Sequence, residues 1–152
     1  MAPRRLSLSL WIGQVVLAVI FLTASYVKTT TPLDELAVDL PWTAALPGVF
    51  VRVLGVLEAL GALGLVLPAL FRIQPQLTPL AAGGLTLLML CAAAFHVIRG
   101  EMLQVVGVLF LGMLAAGVAW GRLRDAPIAD RSDDDEDDDL NFDLPPEPGS
   151  ND

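Results

Sequence analysis

The sequence predicts an all-α fold, a polytopic membrane four-helix bundle followed by a disordered acidic C-terminal tail. Composition is the first observation behind this: the 152 residues are 55% hydrophobic with a mean hydropathy of +0.64, above the ~45–50% apolar content of ordinary soluble domains. Patterning is the second, because the apolar residues gather into runs of membrane-spanning length rather than the periodic stripes of an amphipathic fold. Charge segregation is the third. Residues 1–124 hold eight Lys and Arg against five acids, a net +3, whereas residues 125–152 hold one Arg against twelve acids, a net −11. The overall charge of −8 and pI of ≈ 4.4 therefore describe the tail and not the body, and nothing in the chain suggests a nucleic-acid partner.

The first span, residues 8–27, is interrupted only by Gln14 and by small hydroxyl or glycine residues, and Lys28 closes it. Arg4 and Arg5 before an apolar run resemble a signal peptide. However, the run exceeds the usual h-region, and Leu22 to Tyr26 makes a poor small-residue cleavage site. The second span, residues 49–67, contains Arg52 and Glu58 and is expected to stop at Pro68. The third, residues 77–98, has Pro79 in its first turn, where a missing N–H is harmless, and His96 near its far end. Residues 102–120 form the fourth span. Between spans one and two, Pro32, Pro41 and Pro47 predict an irregular or short interfacial connection.

Loop charge sets the expected orientation. With the N-terminus inside, Arg4, Arg5, Arg72, Arg122 and Arg124 fall on the cytoplasmic side, while Lys28, Arg99 and the acids Asp34, Glu35, Asp39 and Glu101 fall outside. Both termini are then cytoplasmic. Trp11, Trp42 and Trp120 lie at span ends, where indoles anchor at headgroup level. Domain 1–124 is thus the transmembrane unit, with the lipid bilayer as its first partner. Segment 125–152, with seven consecutive acids from Asp133 to Asp139, is a solvated tail and a candidate docking segment for a basic cytoplasmic partner.

Glu58 is the leading candidate site residue. It stands near the middle of its span, where an ionisable group costs roughly 2.5–3.5 kcal/mol to insert and by default points to function. Gly55 and Ala62 lie about 60° and 40° from it on the helical wheel. This small-residue face should turn it toward the other helices. Arg52 is within reach of Glu58 only if both side chains bend toward each other. Lys28, Arg52, His96, Arg99, Glu101 and Gln104 all belong to the same ends of their spans, above Glu58, and together suggest a polar pocket in one half of the bundle. Small residues at Ala92 and Ala93 leave room beside His96, a candidate proton-relay partner. One His, one Cys and one intramembrane Glu have no metal-ligand spacing, and no flavin, haem or iron–sulfur signature is present. Cys91, inside an apolar run, reads as a buried small hydrophobe. Gly55, Gly61, Gly64, Gly83, Gly84, Gly107, Gly112, Gly117 and Gly121 read as helix-packing residues.

Arg52 to Pro68 resembles the R-x-x-G-x-x-E-x-x-G-x-x-x-x-x-x-P second helix of DoxX-like membrane proteins, without gaps. His96 to Glu101 resembles that family's H-x-x-R-G-E ending of the third helix, Thr78 to Ala82 its opening, and Ser25-Tyr26-Val27-Lys28 the end of its first helix. The likeness covers about residues 8–122; the acidic tail has no counterpart in it. It implies a four-helix bundle in a bacterial plasma membrane. Some members are linked to quinone-dependent sulfur oxidation or to membrane complexes that handle oxidative stress. By this resemblance the chain is expected to be an accessory or quinone-interacting subunit of a membrane redox system, with a redox partner protein. A small proton-coupled transporter or a membrane scaffold is the alternative. No repeat of Arg52 and Glu58 occurs in span four, which weighs against an inverted-repeat transporter.

Overall fold

The computed structural model describes residues 2–74, 76–125 and 128, so nearly all of the expected acidic tail lies outside the described residues. Helix α1, Ala2–Thr30, begins earlier and ends later than its apolar run. Pro3 falls in its first turn, where no hydrogen bond is lost. Thr29 and Thr30 return their hydroxyls to the carbonyls of Ser25 and Tyr26, which carries the last turn to the restriction imposed by Pro32. The expected irregular or short connection is instead a longer segment, mostly helical: α2, Leu33–Asp39, starts with Asp34 and Glu35 at its positive end, and a 3₁₀ turn, Pro41–Ala45, follows before the next long helix.

Helix α3, Gly48–Phe71, passes through Pro68 and ends at Arg72, in the left-handed conformation with φ 55°. The expected stop at Pro68 is therefore wrong by one turn. Proline's fixed φ suits a helix, and only the last turn follows it, held by Ala69 buried against the bundle. Helix α4 covers Leu77–Ile98 and α5 covers Met102–Trp120, continued by a π-helical turn, Gly121–Asp125. Four of these helices are long and apolar enough to cross a membrane. They form a square in which α1 packs beside α3 and α5, and α4 beside α3 and α5. Neighbours run antiparallel, as short connections require.

The bundle has two unlike ends. Toward the Arg122 end, Leu17, Phe21, Leu65, Leu85, Ala115 and Val118 make a dry core. Close approach there depends on small residues. A Cβ on Gly61 would lie 2.5 Å from Leu85 Cδ2, and one on Gly64 would lie 2.7 Å from Ala81 Cβ. Gly55, Gly112 and Gly121 meet Thr29, Met89 and Leu10 in the same way. Gly83, Gly84, Gly107 and Gly117 do not, because the helical period turns them off the contact stripe and a Cβ on any of them meets nothing within 4 Å. The expectation that all nine glycines pack helices is corrected accordingly. Cys91 is also exposed rather than buried, since it sits two positions round from the inward-facing Met89 and Ala93. We predict that Gly61→Leu lowers stability in detergent by about 1–3 kcal/mol through overpacking, while Gly83→Leu is nearly neutral; thermal unfolding of both variants checks this.

Candidate functional site

At the Lys28 end the four long helices enclose a cavity of ≈ 1170 Å³, with Trp42 of the connecting segment on its wall. Its walls are mainly apolar, and its charged groups gather at one side. Lys28 Nζ donates to both oxygens of Glu58, at 2.8 and 2.7 Å. The two residues are only 8% and 6% exposed, so the pair is buried inside the bundle. The approach depends on Gly55, one turn from Glu58. A Cβ there would sit 2.9 Å from Thr29 Cγ2 and 3.1 Å from Lys28 Cβ, so glycine lets α1 lie against α3 at the height of the ion pair.

Arg52 does not reach Glu58. Its guanidinium donates to the carbonyls of Lys28 and Thr31, the open acceptors at the end of α1, where a positive charge also suits the helix dipole. It thereby fixes the residue that carries the ion-pair lysine.

The H-V-I-R-G-E run is a helix terminator that builds a side-chain cluster. Gly100 takes φ 73°, and the N–H groups of Gly100 and Glu101 bond the carbonyls of Val97 and His96, which is the Schellman arrangement. This reversal folds Glu101 back over His96. Its Oε2 lies 2.6 Å from His96 Nδ1 and its Oε1 accepts from Arg99 Nε at 2.8 Å. A carboxylate only accepts, so Nδ1 carries a proton and turns Nε2 away from Glu101. Nε2 makes no hydrogen bond among the described residues, and His96 lines the cavity. Trp42 stands edge-on to both Phe95 and His96, with ring centroids 6.3 and 6.0 Å away, and lies 5.8 Å from Lys28 Nζ. Glu101 lies between the spans. The hydrogen bond from His96 holds its carboxyl below the ordinary carboxylate range, against burial and with help from Arg99.

The six candidate residues thus divide. Lys28, Glu58 and His96 face the cavity; Arg52, Arg99 and Glu101 hold them from behind. Sequence reasoning treated Trp42 only as an interfacial anchor and Asp39 only as a loop charge, yet both line the cavity. It also missed a second polar layer at the opposite end. Arg122 donates through Nε and Nη2 to Gln14 Oε1 at 2.9 and 2.6 Å, and Gln14 Nε2 donates to the Leu65 carbonyl at 2.6 Å. Gln14, an amide inside an apolar span, was the available signal. Among the described residues no group of three or more His, Cys, Asp and Glu is placed to hold a metal ion.

The DoxX-like family model matches residues 12–118, most of the chain and all of the cavity-lining charged groups. The chain belongs to the DoxX-like family. It is a multi-pass membrane protein, and the matched residues include α3, which buries Glu58, and α4, whose last turn carries His96. Neither the curated proteins nor the solved structures yield a match.

Two predictions follow from the geometry of this DoxX-like protein. Lys28→Met should destabilise it by about 3–5 kcal/mol, the effect of leaving a buried charge unpaired, and adding Glu58→Leu should recover most of that loss; unfolding in detergent measures both. Glu101, whose carboxyl is acidified in the folded state, contributes stability that is present at neutral pH and lost as pH falls through its lowered pKa. Glu101→Gln should remove that part of the acid sensitivity, read as the difference between the two proteins' thermal midpoints across the carboxylate range. Parallel pH curves would contradict it.

Proposed function

We propose that this protein is a membrane-embedded accessory subunit of a redox system, and that it holds a lipophilic quinone in the cavity at the Lys28 end. The observation that carries this reading is the cavity itself, a mainly apolar space with Lys28, Glu58 and His96 gathered at one side. That is the usual make-up of a site for a largely apolar small molecule, where a few polar groups set orientation. The ammonium supplies a donor to a quinone carbonyl; the Glu58 carboxylate and His96 Nε2 accept from a quinol hydroxyl. Trp42 offers a ring beside them. The redox setting is drawn from the family likeness. The loop charges support cytoplasmic termini in a bacterial plasma membrane, with the cavity toward the far side. The acidic tail would serve a basic cytoplasmic partner.

Proton-coupled transport is favoured by one observation, the buried ion pair. Against it, the apolar layer of Leu17, Phe21, Leu65 and Leu85 lies between that pair and the Gln14–Arg122 cluster. The cavity is better suited to binding from one side than to passage.

Quinones quench indole fluorescence, so a Trp11→Phe/Trp120→Phe protein reports on Trp42 alone. A decyl-substituted benzoquinone should quench it saturably in lipid vesicles. Glu58→Gln and His96→Ala should each weaken binding about tenfold or more, the value of a hydrogen bond involving a charged group. Non-saturable quenching, or equal affinity in all three proteins, would remove the quinone reading. Proton-gradient-driven uptake abolished by Glu58→Gln would favour transport instead.

A further inference from the structure

Helices α1 and α5 are neighbours in the square but are joined by no loop, and they meet closely at the Arg122 end. There a Cβ on Gly121 would lie 2.7 Å from Leu10 Cδ2, a Cβ on Gly13 would lie 3.5 Å from Val118 Cγ2, and Arg122 bonds Gln14. The buried residues of α5 are Gly112, Ala115 and Val118, all on that side. Toward the Lys28 end, Ile20 and Thr23 of α1 and Gln104 and Gly107 of α5 line the cavity and are nevertheless exposed on the bundle's flank. The cavity lining is thus exposed on the flank between α1 and α5, the least closely packed pair of neighbouring long helices, and also at Leu57 and Cys91 between α3 and α4.

Its size bears on what occupies it. At ≈ 1170 Å³ it exceeds the roughly 300–1,000 Å³ of ordinary ligand clefts, and the Lys28–Glu58 pair and His96 gather around Trp42 at one side of it. A compact head would leave most of the apolar wall uncovered. Lys28 and Glu58 already neutralise each other through two hydrogen bonds, and the other lining carboxylate, Asp39, is exposed on the connecting segment, so a net charge on a head beside the buried pair would be an uncompensated ion in a low-dielectric site. We infer that the ligand is a membrane-dissolved molecule with an uncharged, hydrogen-bonding ring and an apolar tail, and that it enters and lies with its tail between α1 and α5. This rests on the proposed function, whose head site it extends with an entry route and a tail-binding channel. A second hollow, ≈ 460 Å³ between α3 and α4 beside Leu60 and Gly84, has almost wholly apolar walls and adjoins the main cavity at Leu57, Leu88 and Cys91, which line both. It is the rival route.

Three substitutions separate these possibilities. Gly107 lines the α1/α5 opening and Gly117 does not, and a Cβ at either meets nothing within 4 Å, so phenylalanine at each should leave thermal stability unchanged. Gly84→Phe narrows the α3/α4 side: Gly84 lines the second hollow and not the main cavity, and a Cβ on it meets nothing within 4 Å. In vesicles, Trp42 quenching is measured with the decyl-substituted benzoquinone and with its tail-less parent, which can enter from water. Gly107→Phe should weaken the tailed quinone about tenfold or more and leave the parent within about twofold, while Gly117→Phe and Gly84→Phe alter neither. Loss of tailed binding in Gly84→Phe but not Gly107→Phe would move the channel to α3/α4 and overturn the assignment. Equal weakening of both ligands by Gly107→Phe, or no effect on either, would also overturn it. If Glu58→Gln weakens both ligands while Gly107→Phe weakens neither, the head site stands and the channel falls. If Glu58→Gln weakens neither, the head site itself fails.

Discussion

A carboxylate buried midway along a membrane-crossing helix needs a partner where it stands, because an unpaired charge inside the bundle is costly. Lys28 is that partner for Glu58, through two short hydrogen bonds, and much of the surrounding sequence serves that contact. Gly55 lets the two helices approach. Arg52 satisfies the carbonyls at the end of α1 and so holds the lysine's backbone in place. Replacing the pair with apolar residues of similar size would be close to neutral for stability, so its presence is better explained by what it does in the cavity than by what it adds to folding.

The two ends of the bundle divide the work. In the Arg122 half, glycine and alanine bring helices into close contact over a dry apolar core, and the Gln14–Arg122 cluster ties α1 to the end of α5. Lipid supplies no hydrophobic drive for helices to associate, so this tight packing and these buried hydrogen bonds hold the bundle together. The Lys28 half is then free to remain hollow. Its charged groups are positioned from behind: Glu101 by the reversal at Gly100, His96 by Glu101, and Lys28 by Arg52.

The same division explains what could be read beforehand. Four spans were legible because the bilayer demands about twenty apolar residues in succession. Glu58 was legible because an acid in such a run is rare, and its inward direction followed from Gly55 and Ala62 on one face. Helix ends were less legible, since Pro68 looks like a stop and is overridden by the packing of Ala69. Cys91 looked buried because hydropathy does not distinguish a lipid-facing position from a core one.

By itself, then, the sequence determined the all-α membrane class, the number of crossings, the family and the set of charged residues gathered at one end, because each depends on local composition or spacing along a single helix. Only the tertiary structure decided that Glu58 pairs with Lys28 rather than Arg52, that Arg122 is buried on Gln14, that Trp42 closes on His96, and that all four long helices line one cavity at the Lys28 end. Those are choices among partners on different helices. They are set by the rotation and tilt with which helices pack, for which a hydrophobic run carries no record.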